Sequence, residues 1–452
     1  MTTLKKYQEE GLEEIKRFKG RCLLAWDMGL GKTFTALSYA VQNKLFPLVV
    51  VCPKSLKLHW QKECWQHFKL KAEILNTNNT KALSSEVVIV NYDILQSWVP
   101  ELIAIDPKCI VGDEIHRIKN IRAKQSKAFR RLCRQPDSIL ALSGTPMENN
   151  PIELFSILNI LRPDKFPSLF AFGTKYTNAR FDFGHWMFPG AKNLKHLNQV
   201  LRTTCMSRIA EEEVLEQLPP IRKFVVPLEI DNRKEYEAAE KDLIGWLKTK
   251  DLAKAEKAQR AECWTRFYYL KHLAAQLKLS NVKGWLDSFL VESDGKILVG
   301  TTHRDIIGNL HETYKGLSVV IDGSRTAVQR QIAEDCFRQK KGTRILFGQL
   351  KAAGVGLNFP EAHDVALVEL PWTSAACDQF IARCRRITSV GSVRAYFLIA
   401  EDTIEADICK IIERKSKHLS VVLDGKTNKQ RDLNIFQELQ LAMERRKNGQ
   451  PE

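Results

Sequence analysis

The stretch LAWDMGLGKT (24–33) sets Gly29 and Gly31 directly before Lys32 and Thr33. That grouping suits a chain of phosphates. Glycines let the backbone turn until several N–H groups aim at phosphate oxygens. Lys32 has the reach for the outer phosphates, and the Thr33 hydroxyl can ligate Mg²⁺. Met28 and Leu30 complete the loop. The usual spacing asks for a glycine five residues before Gly31, and Trp26 stands there instead. The bland alternative is an accidental Gly-Lys-Thr in a turn. It is disfavoured because an apolar run, CLLAW, precedes the loop and a helical pattern, TFTALSYAVQ, follows it.

A second group, DEIH (113–116), follows the apolar run CIV and so falls at the C-terminal end of a strand, where open α/β sheets bind ligands. Asp113 can hold the magnesium, and Glu114 can orient or deprotonate an attacking water. Paired acids after a strand are often only a surface turn. These follow a phosphate loop by about eighty residues with strands between, which favours an ATPase site. A site of this kind also needs positive charge at the leaving phosphates. In QFIARCRRI (379–387), Arg383 and Arg386 are three apart and share a helix face. On these residues alone, a solvated basic face is the preferred reading.

Other signals concern a polyanion. Lys and Arg total 69 against 53 Asp and Glu, a net charge of +16, and nucleic acid is the commonest partner of such a surplus. The segment RIKNIRAKQSKAFRRLCR (117–134), which contains Lys119, carries basic residues and no acid, as a surface tracking a phosphate backbone would. CPKSLKLHWQKE (52–63) puts Lys54, Ser55 and Trp60 after another strand end, and LSGTP puts Ser143 and Thr145 between two predicted lobes. Each alone is weak, because solvated helix faces and Ser/Thr-rich turns are common.

The elements that must position these residues are legible as apolar, β-branched runs alternating with helical patterns. The first set is CLLAW (22–26), PLVVVC (47–52), EVVIVNY (86–92), CIVGDE (109–114) and SILALSG (138–144). The second is KILVGT (296–301), LSVVID (317–322), TRILFG (343–348), DVALVEL (364–370) and RAYFLIA (394–400). Near-continuous apolar strands between helices imply parallel sheets covered on both faces, so the expected class is α/β with two lobes. Between them the chain is helical in pattern, and LPPIRKFVVPLEI (218–230) reads as the crossing. The expected domains are 1–230, 231–425 and a charged tail, 426–452. No apolar run has the length of a membrane span, and MTTLKKYQEEGLEEI lacks a signal-peptide core, so an intracellular protein is expected. The cysteines form no CxxC pair or metal spacing with histidine, so reduced core residues and no zinc site are expected.

Taken in order, these pieces resemble the Swi/Snf-type helicase-like ATPases of superfamily 2. The carriers are LKKYQEEGL (4–12), LAWDMGLGKT, VVVCPKSLKLHW (49–60), VIVNYDIL (88–95), DEIHRIKN (113–120) and LSGTPMENNPIELFSILNILRP (142–163). Further on they are KILVGTTHRDIIGNL (296–310), IDGS (321–324), KAAGVGLNF (351–359), QFIARCRRI and DTIEADI (402–408). The resemblance implies two RecA-like lobes with ATP in the cleft, DNA across both, and helical protrusions near 160–215 and 233–280. It assigns Gln8 to the adenine, whose edge a carboxamide can both donate to and accept from. It places Gln379 at the nucleotide and raises Arg383 and Arg386 above the bland reading. It gives Lys351 to DNA contact, and Gly354 and Gly356, with Ser143 and Thr145, to coupling. Within the family, THRDIIGNL and KAAGVGLNF look most like the annealing-helicase (HARP-like) branch.

Departures from the family pattern are specific. Trp26 stands where relatives usually carry an acid, so the missing glycine is normal and only the tryptophan is unusual. Arg385 replaces a usual histidine, Thr388-Ser389 a Gly-Gln pair, and Gln349 a small hydroxyl residue. The last three bear on lobe closure and DNA contact more than on hydrolysis. No further module fits in the remaining residues, so a bare motor is expected.

The function expected is a DNA-dependent ATPase, using ATP and Mg²⁺, that translocates on duplex or forked DNA as a monomer. Its compartment would be cytoplasmic and nucleoid-associated in a bacterium or phage, and nuclear in a eukaryote. Two alternatives stay open: a strand-separating superfamily 2 helicase, and a non-catalytic DNA-binding scaffold. The complete set Lys32, Thr33, Asp113, Glu114, Arg383 and Arg386 argues against the scaffold.

Overall fold

In the computed structural model the described residues are 3–147, 150–182, 184–210, 221–242, 263–350, 359–371, 374–384 and 392–405, with Ile408 and Val422. The chain divides into two compact units near residue 216. Each is built on one sheet.

The first unit holds β1 (Arg21–Leu24), β2 (Leu48–Cys52), β3 (Ala72–Ile74), β4 (Val87–Asn91), β5 (Cys109–Asp113) and β6 (Ser138–Leu142). With β9 (Met206–Ser207) they form a seven-stranded sheet in the order β3-β4-β2-β5-β6-β1-β9. Every pairing in it is parallel. The strands LVVVC, VVIVN, CIVGD and SILAL are buried at every position. That is what continuous apolar runs achieve when helices cover both faces. A short antiparallel hairpin, β7 (Arg180–Asp182) with β8 (His185–Met187), stands apart from the sheet. The region near 160–215 holds it together with the helices Leu169–Tyr176 and Leu194–Thr204.

The second unit holds β10 (Ile221–Leu228), β11 (Lys296–Thr301), β12 (Ser318–Ile321), β13 (Ile345–Gln349), β14 (Ala362–Leu367) and β15 (Val393–Ala400). They form a parallel sheet in the order β10-β15-β14-β11-β13-β12. Here one expectation is corrected. Within the segment read as the crossing, Ile221–Leu228 pairs with β15, from Ile221 opposite Val393 to Leu228 opposite Ala400. It is the edge strand of the second sheet, so the boundary drawn at 230 lies after a strand that belongs to the second unit. Its half-exposed pattern and Pro227 fit an edge, where a missing N–H costs no ladder bond.

All ten strands expected from apolar runs are present. The short strands β3, β7, β8 and β9 were not expected: two or three residues give no periodicity to read. No helix among the described residues is long and apolar enough to cross a membrane.

Candidate nucleotide-binding site

Because the first sheet is parallel, the C-terminal ends of β1, β2, β5 and β6 open onto one edge. That edge gathers Lys32, Asp113, Glu114 and Ser143.

The loop after β1 turns on Gly29 (φ +81°) and Gly31 (φ +77°), left-handed values that only glycine adopts cheaply. Space imposes a second limit at Gly31: a Cβ there would lie 2.4 Å from Gln8 Nε2. Helix α2 (Lys32–Gln42) starts at once, so its free N–H groups face the loop. Lys32 Nζ donates to the carbonyls of Trp26 (2.9 Å) and Asp27 (3.1 Å). Burial pulls its ammonium pKa down, opposed by the charges of Glu114, Asp113 and Asp27. Thr33 is half-buried beside it. Leu30 is buried, and its carbonyl accepts from Gln8 Nε2 (3.2 Å) and Tyr7 Oη (3.3 Å). Gln8 Oε1 accepts from the Lys5 N–H at the start of α1 (Lys6–Arg17). Gln8 therefore braces the loop from behind. Met28 lies against Gly144, whose added Cβ would stand 3.2 Å from Met28 Cγ.

Trp26 is wholly buried. Its Nε1 donates to Ser207 Oγ (2.8 Å), and its ring lies against Gly11, where a Cβ would come within 2.2 Å of Cζ2. The unusual tryptophan thus ties α1, the loop and β9 together. Next to it, Arg208 Nη1 donates to the Ala25 carbonyl (2.8 Å) and Asp27 Oδ1 (2.5 Å).

Asp113 ends β5 almost buried. Its Oδ2 accepts from Trp60 Nε1 (2.8 Å) and its Oδ1 from the Glu114 N–H (2.9 Å), while Tyr92 Oη donates to its carbonyl (2.8 Å). Burial and the charge of Glu114 push its carboxyl up to about 6, against the Trp60 hydrogen bond and Lys32. Glu114 has φ +49°, a left-handed value that turns the chain sharply out of the strand. Its buried Oε2 has no hydrogen-bond partner among the described residues, although His116 Nδ1 stands 3.4 Å away. The donor set fits a phosphate chain with a hard cation: an ammonium, a hydroxyl, two carboxylates with one oxygen open, and a helix N-terminus.

Trp60 corrects an expectation. Predicted on DNA, it is wholly buried and holds Asp113. Helix α3 (Lys57–Phe68) buries Lys57, Trp60 and Cys64, one stripe of an amphipathic helix. That spacing was the readable signal. Lys54 and Ser55, in the turn before α3, are exposed. Lys119 is half-buried and pairs with Glu153 at 3.6 Å. Around it, Arg117, Arg122, Lys124, Lys127, Arg131 and Arg134 are exposed.

Ser143 is buried, takes the Thr145 N–H on its Oγ (3.2 Å), and bonds His116 Nδ1 (3.2 Å). His116 was not singled out from the sequence, yet it joins the acid pair to the segment after β6.

In the second unit, Arg383 is almost buried, and its carbonyl accepts from the Phe359 N–H (2.7 Å). Gln379 is half-buried on the helix Ser374–Ile381. Arg386, Lys351, Gly354 and Gly356 lie outside the described residues, as do Arg385, Thr388, Ser389 and the tail 426–452. A buried polar cluster here was missed altogether. Glu369 accepts from the Thr302 (2.9 Å) and His303 (3.0 Å) N–H groups and from Thr301 Oγ1, and bonds His303 Nδ1. Lys271 Nζ lies 3.8 Å from it. Its members are spread over a hundred residues, which leaves no local pattern.

The SNF2-related domain profile matches residues 7–279, and the helicase conserved C-terminal domain matches residues 278–388. The chain is 29% identical over 432 residues to the SWI/SNF-related matrix-associated actin-dependent regulator of chromatin subfamily A-like protein 1 of Xenopus tropicalis, covering 92% of this chain and 45% of that protein. It is 29% identical over 451 residues to the DNA annealing helicase and endonuclease ZRANB3 of Mus musculus, covering 95% and 41%. The chain thus spans less than half the length of these relatives. A solved structure, the Sulfolobus solfataricus SWI2/SNF2 ATPase core in complex with dsDNA, is 22% identical, with TM-score 0.44 over 98% of this chain and 96% of that one.

Proposed function

This chain belongs to the SNF2-related family, and we propose that it is a DNA-dependent ATPase that couples ATP hydrolysis to translocation along duplex or forked DNA. The observation that supports this most is the shared strand edge: a glycine-turned loop with Lys32 and Thr33, Asp113 fixed by Trp60, and Glu114 with a buried oxygen left open.

Lys32 would leave the carbonyls of Trp26 and Asp27 for the outer phosphates, since a phosphate oxygen is the stronger acceptor. Thr33 and Asp113 would hold Mg²⁺, which when bound neutralises charge on the phosphates. Glu114 would accept a proton from, or orient, the attacking water. Gln8 would meet the adenine while bracing the loop through Leu30. Arg383 and Arg386, with Gln379, would serve the nucleotide from the second lobe. The domains expected at 1–230 and 231–425 would be the ATP-binding and helicase lobes, apart from the strand assigned above to the second unit.

DNA contact would rest on the exposed Lys54 and Ser55, on Lys119 with the basic segment after it, and on Lys351 in the second lobe. Ser143, which bonds His116 beside Glu114, and Thr145 would carry the state of the nucleotide toward that surface, and Gly354 and Gly356 would do the same in the second lobe. Phosphate contacts should make binding strongly salt-dependent, with a log slope of about −0.9 per duplex phosphate neutralised.

Triplex displacement tests translocation. A translocase releases a third strand from a duplex in an ATP-dependent manner without separating the duplex. Release of the duplex strands instead would favour a strand-separating helicase.

A further inference from the structure

The hairpin β7–β8 exposes aromatic rings where a folded protein normally hides them. Phe181 is 62% exposed and Trp186 46%; of the unit's other tryptophans Trp65, on α3, is also exposed, while Trp26, Trp60 and Trp98 are buried. Phe181 and Trp186 are directly opposed cross-strand partners, with ring centroids 5.7 Å apart. Phe170, 47% exposed, meets Trp186 edge-to-face at 4.9 Å. The three rings form one continuous apolar surface.

The hairpin is fixed at its base. The Asn178 N–H donates to the Pro189 carbonyl (2.8 Å) and the Lys192 N–H to the Tyr176 carbonyl (2.9 Å). Asn150 Nδ2 donates to the Phe188 carbonyl (2.6 Å). The Phe188 ring fills the space over Gly173, where a Cβ would lie 2.3 Å from it. Rings held on a braced hairpin lose little entropy when a ligand meets them.

The flanking charge chooses the ligand's charge. Lys165, Lys175, Lys192 and Lys195 are exposed in the segments that flank the hairpin along the chain. Of the acids nearby, Asp164 is engaged with Arg162 (2.7 Å) and Asp182 with Arg180 (3.8 Å). Flat π-faces flanked in the chain by exposed lysines match a polymer that presents both flat bases and phosphates. In a duplex the base faces are hidden in the stack, so the matching ligand is an unpaired strand.

We infer that the hairpin Arg180–Met187 stacks Phe181 and Trp186 on unpaired bases at a DNA junction, so that this protein binds forked DNA more tightly than blunt duplex. The identity of the polymer rests on the DNA-translocase reading above.

The test uses the full chain without nucleotide. Binding is measured by fluorescence anisotropy to a labelled fork with unpaired arms, a blunt duplex of equal length, and a thymidine oligomer. Wild-type protein should prefer the fork. Phe181→Ala/Trp186→Ala should weaken fork and oligomer binding about tenfold, the scale of a lost base stack, and change blunt-duplex binding less than about twofold. Trp186→Leu, which keeps an apolar side chain but loses the large π-face, should show the same selective loss. Equal loss on all three DNAs, or no loss on any, overturns the inference. Retained binding in Trp186→Leu also overturns it and points to a face that docks protein. The two readings fail separately: hydrolysis stimulated by blunt duplex in a protein without fork preference keeps the translocase and removes the hairpin's role. Selective fork binding with DNA-indifferent hydrolysis does the reverse.

Discussion

Trp60 Nε1 donates to Asp113 Oδ2 at 2.8 Å, and that bond reaches from a helix after β2 to the acid that ends β5. The carboxylate is thereby aimed by a side chain that never meets solvent. Trp60→Phe keeps a ring in the space but removes the donor. The expected result is a rise in the Mg²⁺ concentration giving half-maximal hydrolysis, by about tenfold, the usual cost of losing an outer-shell partner. An unchanged Mg²⁺ titration would show that Asp113 does not depend on Trp60.

His116 links Glu114 to Ser143, with contacts of 3.4 Å and 3.2 Å. His116→Ala and Ser143→Ala should each reduce the stimulation of hydrolysis by DNA more than the basal rate. In the double variant the losses should be non-additive by about 0.5–3 kcal/mol, as for residues in one network. Additive losses would mean two separate roles.

The Trp26 ring leaves no room at Gly11. Gly11→Ala should destabilise the first unit by about 1–3 kcal/mol through overpacking. Phe lacks the atoms of the clash, so Gly11→Ala/Trp26→Phe should cost less than the sum of the single changes in thermal unfolding. Strict additivity would contradict the contact.

Burial alone would push the Glu369 carboxyl up, but the hydrogen bond from His303, the charge of Lys271 and the Thr301 hydroxyl hold it down at about 2. A carboxylate whose folded pKa is depressed stabilises the fold above its unfolded pKa of ~4.3 and loses that contribution as pH falls toward the folded value. Glu369→Gln leaves Lys271 without its counter-charge and should cost roughly 3 kcal/mol at neutral pH. Denaturant titrations from pH 7 down to about pH 3 should show wild type and variant converging. A constant gap across that range would refute the assignment.

What the sequence made legible followed local pattern. The loop, the acid pair at a strand end and ten strands could be read because each lies within one short window: glycines before Gly-Lys-Thr, or an unbroken β-branched run. Trp60 was misplaced because neighbouring lysines drew it toward a nucleic-acid reading, although its i, i+4 spacing to Cys64 marked a buried face. Phe181 and Trp186 gave no signal, since pairing between two three-residue strands has no periodicity. The Glu369 cluster is assembled only by the parallel register of the second sheet, which brings β14 beside β11.

The most direct test of the central claim is steady-state ATP hydrolysis with no nucleic acid, single-stranded DNA, blunt duplex, forked DNA and duplex RNA, with Lys32→Ala as the blank. The account predicts hydrolysis that rises with duplex or forked DNA and vanishes in Lys32→Ala. Hydrolysis indifferent to every nucleic acid, or undiminished in Lys32→Ala, would contradict it.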